Sequence, residues 1–267
     1  MGASLVNLHT TDDPDQRLLN STNQVKAYIR RKIKMTCDGI GLQDAHKVPT
    51  ASEWVLEGTK LISGQAFINE IQVRTGTLFS REGAARGRNI SNQCSRGCSQ
   101  PETLNHVLQN CYASDKLRII RHDRLVEYIH RGAQQRKFSL HMEPEFSLPV
   151  GKLKPDLVLY KDDRAIVVDA QVINNQYPLE KASQEKIKKY TPLIKHQLKD
   201  TKATILSFTI NWRGVICKSS ADSLVKKGVI AKRDLKILAV RTLEGRVARH
   251  RVHQKMMTSK RVKKGEG

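Results

Sequence analysis

Asp156 follows Pro155 at the entrance to the apolar run LVLY, Asp169 interrupts the run IVVDAQV, and Lys186 lies in the following segment LEKASQEKIKKY. In a chain of formal net charge +21, carboxylates inside strand-like runs ask for a reason. Strand alternation places Leu153, Leu157 and Leu159 on one side and Lys154, Asp156 and Val158 on the other; in the second run Ile166, Val168, Ala170 and Val172 share a face opposite Ala165, Val167, Asp169 and Gln171. If the turn near Lys161–Arg164 holds an even number of residues, such as Asp162–Asp163, position 156 pairs opposite position 169 and the two acids lie side by side; an odd loop separates them across the sheet. Like charges facing each other destabilise a hairpin. A divalent ion such as Mg²⁺ or Mn²⁺ would compensate, because it takes carboxylate oxygens. It could also activate a water and stabilise a phosphodiester transition state. Lys154 and Lys186 could then hold the phosphate or the attacking water. The plainer alternative pairs Asp156 with Lys154 and Asp169 with a cation of the next helix, and spacing alone does not choose.

A second constellation is Cys94, Cys98, His106 and Cys111, spaced C-x3-C-x7-H-x4-C. A helix starting near Pro101–Glu102 would carry His106 and deliver Cys111 about one and a half turns later. Three thiolates and an imidazole suit a structural, closed, tetrahedral Zn²⁺ site. The alternative is three incidental cysteines and a surface histidine; cysteine is otherwise scarce, with only Cys37 and Cys217.

The elements that must position these groups are read from periodicity. STNQVKAYIRRKIKM opens with Ser21 and Gln24 at capping-box spacing, and Val25, Ile29 and Ile33 recur at helical spacing, predicting a basic helix over about 21–35. TKLISGQAFINEIQVRTG reads as a second helix with Leu61, Phe67, Ile68 and Ile71 as core positions. FSREGAARGRNISNQ is a Gly/Arg-rich loop suited to a nucleic-acid backbone. SDKLRIIRHDRLVEYIHRG is helical, with Leu117, Ile120, Leu125 and Ile129 on one face. The strand pair at 152–172 follows, then a helix that Pro192 disturbs, the strand TILSFTINWRGVI, and two closing helices. From 115 onward this is an α/β layout with a mixed sheet.

Composition bounds the partners. The chain has 267 residues, 47 Lys and Arg against 26 Asp and Glu, and an isoelectric point near 10. Such a balance points to a polyanion, nucleic acid first, through phosphate contacts and counterion release. No apolar run is long enough for a membrane span, and the N-terminus lacks the basic and apolar regions of a signal peptide. The cysteine pattern points to a reducing compartment.

Taken together these stretches resemble a family. Pro155–Asp156, Asp169 and a lysine on the following helix resemble the PD-(D/E)XK nuclease superfamily. With RGRNISNQC, ETLNHVLQNC, RIIRHD, KPDLVLY, VVDAQV, Lys186–Tyr190 and INWRG in order over roughly 60–245, the chain is similar to the restriction-like endonuclease at the C-terminal end of site-specific non-LTR retrotransposon polyproteins, the R-two element clade. The resemblance implies a restriction-endonuclease-like mixed sheet flanked by helices. It implies a metal-dependent endonuclease that nicks chromosomal DNA, typically in ribosomal RNA genes, so that the freed 3′-hydroxyl primes reverse transcription. Asp156 and Asp169 would hold Mg²⁺ or Mn²⁺, Lys186 would be the catalytic lysine with Lys189 and Tyr190 in support, and Cys94, Cys98, His106 and Cys111 would hold zinc. DNA and the element's RNA would be the partners, and the nucleus or nucleolus the location.

The expected organisation is a disordered 1–20, a helical linker at 21–90, a CCHC zinc knuckle at 91–114, the nuclease domain at 115–248 and a basic disordered tail at 249–267. The sequence departs from the superfamily pattern at Gln171, where a lysine two residues after the second acid is standard. Glu127 or Glu145 would supply any third acid, and RIIRHD receives no chemical step. No reverse-transcriptase signature is found and the length is too short for a polymerase, which suggests the C-terminal part of a longer polyprotein, or a relic. The competing reading is a zinc-dependent nucleic-acid-binding module without cleavage.

Overall fold

The computed structural model of the chain describes residues 19–262 except 37, 150 and 200. The segment expected to be disordered at 1–20 lies almost wholly outside the described residues, as do Cys37 and the last five positions.

The first helix, α1 (Thr22–Met35), begins where the capping residues predict: Ser21 Oγ accepts from Gln24 N, and Gln24 Oε1 accepts from Asn20 N at 2.7 Å. No residue of α1 is buried, and Ile29 and Ile33 stand about half exposed. After a run of 3₁₀ turns come α2 (Trp54–Glu57) and α3 (Gly64–Thr75), the latter capped by Ser63 and ended by Gly76 at φ +78°. A left-handed glycine closes a helix without a Cβ clash. The second helix is therefore shorter than its periodicity suggests. Leu61, Phe67 and Ile71 pack into an apolar cluster around Trp54 and Trp212, but Ile68 faces solvent. The Gly/Arg-rich segment holds a short helix, α4 (Arg81–Ala85), before its exposed loop.

The helix α5 (Asp115–Gln135) buries Leu125, Val126 and Ile129, whereas Ile120 points outward and Leu117 is only half-buried. Three short strands that periodicity did not show follow: β1 (Ser139–Met142), β2 (Phe146–Leu148) and β3 (Gly151–Leu153). Then come β4 (Leu157–Lys161), β5 (Arg164–Ile173), α6 (Leu179–His196), β6 (Lys202–Asn211), α7 (Lys218–Lys226) and α8 (Asp234–Val262). The main sheet is mixed, in the order β1-β4-β5-β6; β5 and β6 are parallel and the other pairs antiparallel, while β2 and β3 form a separate hairpin. The parallel pair is joined by α6, as a parallel crossover needs.

Both faces of the sheet are covered. Leu157, Leu159, Ile166, Val168 and Ala170 pack with Phe208 against α5, α7 and α8. Val158, Ala165 and Val167 pack against Tyr190 and Leu193 of α6. The face that carries Asp169 is therefore a second core, not a polar side. Leu153 belongs to the β2–β3 hairpin and packs with Val158, on the side opposite the one its alternation suggested.

Three expectations about helices and strands are corrected. Pro192 does not end α6, which continues to His196 while Tyr190 and Leu193 stay buried against the sheet. The strand β6 stops at Asn211, where Trp212–Gly214 turn the chain back so that Ile216 bridges Ile210. The tail expected to be disordered is helical through Val262, and Arg249, His250 and His253 are buried along it. Arg246, Arg249, His250 and His253 recur at i, i+3, i+4 and i+7, one face of a helix. That polar face looks inward, which is why an apolar period could not reveal it. α8 crosses α5 closely at Gly245, where an added Cβ would lie 2.7 Å from Arg121 Cγ.

Candidate active site and metal centre

The turn between β4 and β5 is Asp162–Asp163, a two-residue loop with both residues at positive φ, +48° and +55°. This is the twist that two-residue hairpins favour, and aspartate tolerates it. The loop is even. Leu157 pairs with Val168, so positions 156 and 169 are opposed at the mouth of the hairpin.

Each acid meets its own protein cation. Asp169, 3% exposed, is approached by Lys186 Nζ of α6 and accepts from Tyr190 Oη at 2.6 Å. Burial pushes the Tyr190 phenol well above its ordinary pKa and the carboxylate beside it adds to the effect, so the hydroxyl stays protonated and donates. Tyr190 Oη also lies 3.1 Å from both the Lys154 carbonyl and Lys189 Nζ. Asp156 Oδ2 accepts from Ala170 N at 2.6 Å and lies 3.2 Å from His122 Nε2. That carboxylate raises the His122 pKa to about 9 despite partial burial. The opposed charges are thus compensated in the protein by His122 and Lys186.

Lys186 reaches Asp169 from its helix. Gln171, which stands where a lysine is standard, spends both amide hydrogens on Ala182 O and Thr209 Oγ1 at 2.9 Å each, tying α6 to the sheet. Lys154 is exposed and engaged by Glu143, so it pairs with neither aspartate. Glu127 pairs with Arg131 and Glu145 with Lys152, both on the surface; neither takes the place of a third ligand. The side chain the sequence did not assign is His122. Its helical spacing with Leu125 and Ile129 puts it on the buried face of α5, and that spacing was the available signal.

The second constellation also converges. The ligand atoms of Cys94, Cys98, His106 and Cys111 all lie within 4.8 Å of one another, and Cys98 Sγ is 3.6 Å from Cys111 Sγ. The Cys94–Cys98 turn closes through Gly97 N to Cys94 O at 3.0 Å, with Gly97 at φ +81°. Helical residues begin at Leu104, slightly later than the expected start near Pro101–Glu102, and widen into the turn His106–Asn110, and Cys111 N donates to His106 O at 2.8 Å. Among the described residues His106 Nε2 is buried without a hydrogen-bond partner. Burial pushes the Cys111 thiol up to about 12 and the Cys94 thiol upward. A buried imidazole nitrogen with no partner beside three thiols fits a soft or borderline metal ion.

α8 braces this centre. Arg246 donates to Leu108 O and to Gln109 Oε1, Arg249 donates to Cys111 O at 2.9 Å, and His253 Nε2 lies 3.9 Å from Cys94 Sγ. Glu102, fully buried, accepts from Ser95 N and Arg81 N at 2.8 and 3.3 Å. Cys94, Glu102 and His253 could also gather around an ion, but Glu102 is already occupied by those backbone donors, so the three thiols with His106 are the better set.

Similarity to known proteins covers both of these segments. The Retrovirus-related Pol polyprotein from type-2 retrotransposable element R2DM of Drosophila melanogaster is 32% identical over 238 residues, 86% of this chain and 22% of that polyprotein. The R2 polyproteins of Bradysia coprophila and Nasonia vitripennis are 30% and 26% identical over 78% and 80% of the chain. The chain belongs to the R2 retrotransposon Pol polyproteins. It spans about a quarter or less of the length of these three R2 relatives, between 22% and 25%. No protein-family model matches it. Among the described residues of this R2 region, no helix is long and apolar enough to cross a membrane.

Proposed function

We propose that the chain is the metal-dependent DNA endonuclease region of an R2 polyprotein, restriction-endonuclease-like in fold and braced by a structural zinc centre. The observation that carries this reading is the opposition of Asp156 and Asp169 at the hairpin mouth with Lys186 on Asp169. A buried acid–lysine pair at the mouth of the β4–β5 hairpin, joined by a second acid, is what metal-assisted phosphodiester hydrolysis asks for. Asp156 and Asp169 would hold a Mg²⁺ or Mn²⁺ ion, which when bound supplies Lewis-acid stabilisation and a more acidic water. Tyr190 fixes the Asp169 carboxylate. With the ion sharing Asp169, Lys186 would face the scissile phosphate, and Lys189 would add positive charge beside it. The zinc centre holds α5, α8 and the Arg-rich loop in one arrangement. Cleavage of chromosomal DNA in the nucleus to prime reverse transcription, with element RNA as a further partner, follows from the same reading. So does the division into linker, knuckle and nuclease regions.

Relaxation of supercoiled plasmid with Mg²⁺ or Mn²⁺ tests it. Wild-type protein should nick, and Asp156→Ala and Asp169→Ala should not; no nicking with either metal, or normal nicking by both variants, defeats the reading. One observation favours a second reading, nucleic-acid binding without cleavage. Both acids already have protein cations, and Gln171 is committed to structure. Under that reading binding is salt-sensitive and plasmid stays supercoiled.

A further inference from the structure

Beyond the carboxyl ends of the parallel strands β5 and β6 lies a cleft of about 690 Å³ whose lining includes neither Asp156 nor Asp169. The segments that follow those strands, 174–176 and 212–213, line it together with the turns at 76–80 and 103–105. Open α/β sheets bind their ligands in that position, and the volume is that of a ligand site. Three polar atoms of the lining residues are buried without a hydrogen-bond partner among the described residues: Trp212 Nε1 and the Oδ1 atoms of Asn105 and Asn175. Trp212 is only 2% exposed, so its N–H is an unmet buried donor. An unmet buried polar atom costs its full desolvation, and three in one cleft ask for an occupant that carries both acceptors and donors. The frame around them is fixed. Trp212 N donates to Ile173 O at 3.2 Å, and Asn211 Oδ1 accepts from Arg213 N and Val215 N at 3.0 and 3.1 Å. The Arg213 guanidinium lies 4.8 Å from the centre of the Trp212 ring, beside Gly76, where an added Cβ would stand 2.7 Å from it. Phe79 O accepts from His250 Nε2 at 2.8 Å, which anchors that turn to α8 while the Phe79 residue stays 52% exposed. The two carboxylates of the lining, Asp38 and Glu82, both pair with Arg86.

We propose that this cleft takes one unpaired base of a single-stranded nucleic acid, with Phe79 as the stacking platform and Trp212, Asn105 and Asn175 meeting the edge of the base. An exposed aromatic ring stacks on any base, and an unstacked base offers donors and acceptors along its edge. Arg88, exposed beside the cleft, extends a basic path for the adjoining phosphates. Paired bases cannot enter, so the cleft selects unpaired strands. This rests on the nucleic-acid binding common to both readings above and not on cleavage.

The test uses the full zinc-loaded chain without Mg²⁺ or Mn²⁺ and fluorescence anisotropy of short labelled oligonucleotides of one length. The probes are a single deoxy strand, a single ribo strand, a blunt duplex and a fully abasic strand, which keeps the phosphates and lacks the bases. At least one intact single strand should bind wild-type protein about tenfold or more tightly than the abasic strand. The deoxy and ribo arms show which nucleic acid supplies the base. Phe79→Ala should remove the advantage of the intact strand, Phe79→Trp should keep it, and duplex affinity should stay the same in both, which also reports that they fold. Because the abasic comparison is made on the wild type, it does not depend on any variant. Equal affinity for intact and abasic strands means that phosphates account for binding and water meets the polar atoms of the cleft. That result overturns the inference and leaves the nuclease reading standing, as does a base-dependent advantage that survives in folded Phe79→Ala. Absence of any nucleic-acid binding overturns both. Base-dependent binding without plasmid nicking upholds the cleft and defeats the cleavage reading.

Discussion

Tyr190 donates its hydroxyl to Asp169 at 2.6 Å, from a ring that is 1% exposed to a carboxylate that is 3% exposed. The pair joins α6 to β5 at the point where Lys186 also arrives, so one buried carboxylate collects a neutral donor and a cation from adjacent turns of one helix. Tyr190→Phe keeps the ring packing and removes only the donor. The expected result is a loss of about 1–3 kcal/mol in urea unfolding, the usual consequence of leaving a buried acceptor short of a partner. Plasmid nicking should fall by about 10- to 100-fold while DNA affinity is unchanged, as for an outer partner of a metal ligand.

Lys186 has a sharper signature. Its ammonium is a quarter exposed and its partner almost wholly buried. Lys186→Met keeps the apolar stem against the sheet and leaves Asp169 without its cation. Stability measured in metal-free buffer should drop, and added Mn²⁺ should restore part of it because the ion supplies the missing charge. Nicking should not return with the metal. Recovery of nicking in Mn²⁺ would show that Lys186 serves the carboxylate alone and takes no part in the chemistry.

The metal centre makes a compositional prediction. Protein purified without chelator should carry about one zinc per chain by elemental analysis. Chelation, or Cys98→Ser, should lower the melting temperature, because binding energy at a thiolate site is folding energy. The loss should propagate to α8, whose Arg246 and Arg249 hold the backbone of Leu108 and Cys111. Faster amide exchange along 246–253 after chelation would report that coupling directly.

Much of this is legible in the sequence alone. The ligand spacing C-x3-C-x7-H-x4-C and the lysine on the helix after Asp169 are local features, and local features survive translation into three dimensions; spacing leaves the parity of the turn near Lys161–Arg164 open, and the structure shows it even. What escapes the sequence is long-range or buried polar structure. The strands β1 to β3 are three or four residues each, too short for a period to show. α8 hides its Arg–His face against the metal centre 138 to 159 positions earlier in the chain, a contact that no local pattern encodes. The burial of Asp169 behind α6 also removes the expected polar side of the hairpin. His122 is only a letter in RIIRHD until α5 places it beside Asp156.

Glu70 gives a test of the core that is independent of both sites. It sits on α3 at 1% exposure, and among the described residues neither carboxyl oxygen has a hydrogen-bond partner. Burial, with a contribution from Glu244, raises its pKa from 4.5 to about 8. The folded chain therefore holds this proton over a range in which the unfolded chain has released it. Its contribution to stability is fully present below about pH 4.5 and is lost as pH rises through about 8. Urea midpoints for the wild type, set against Glu70→Gln, should diverge in that window. The wild type should lose a few kcal/mol more than the variant between about pH 5 and pH 9, since each tenfold difference in proton affinity between the folded and unfolded chain is worth about 1.4 kcal/mol. Parallel pH profiles for the two proteins would show that Glu70 is ionised and solvated in the folded state, and that water reaches it between α3 and α8.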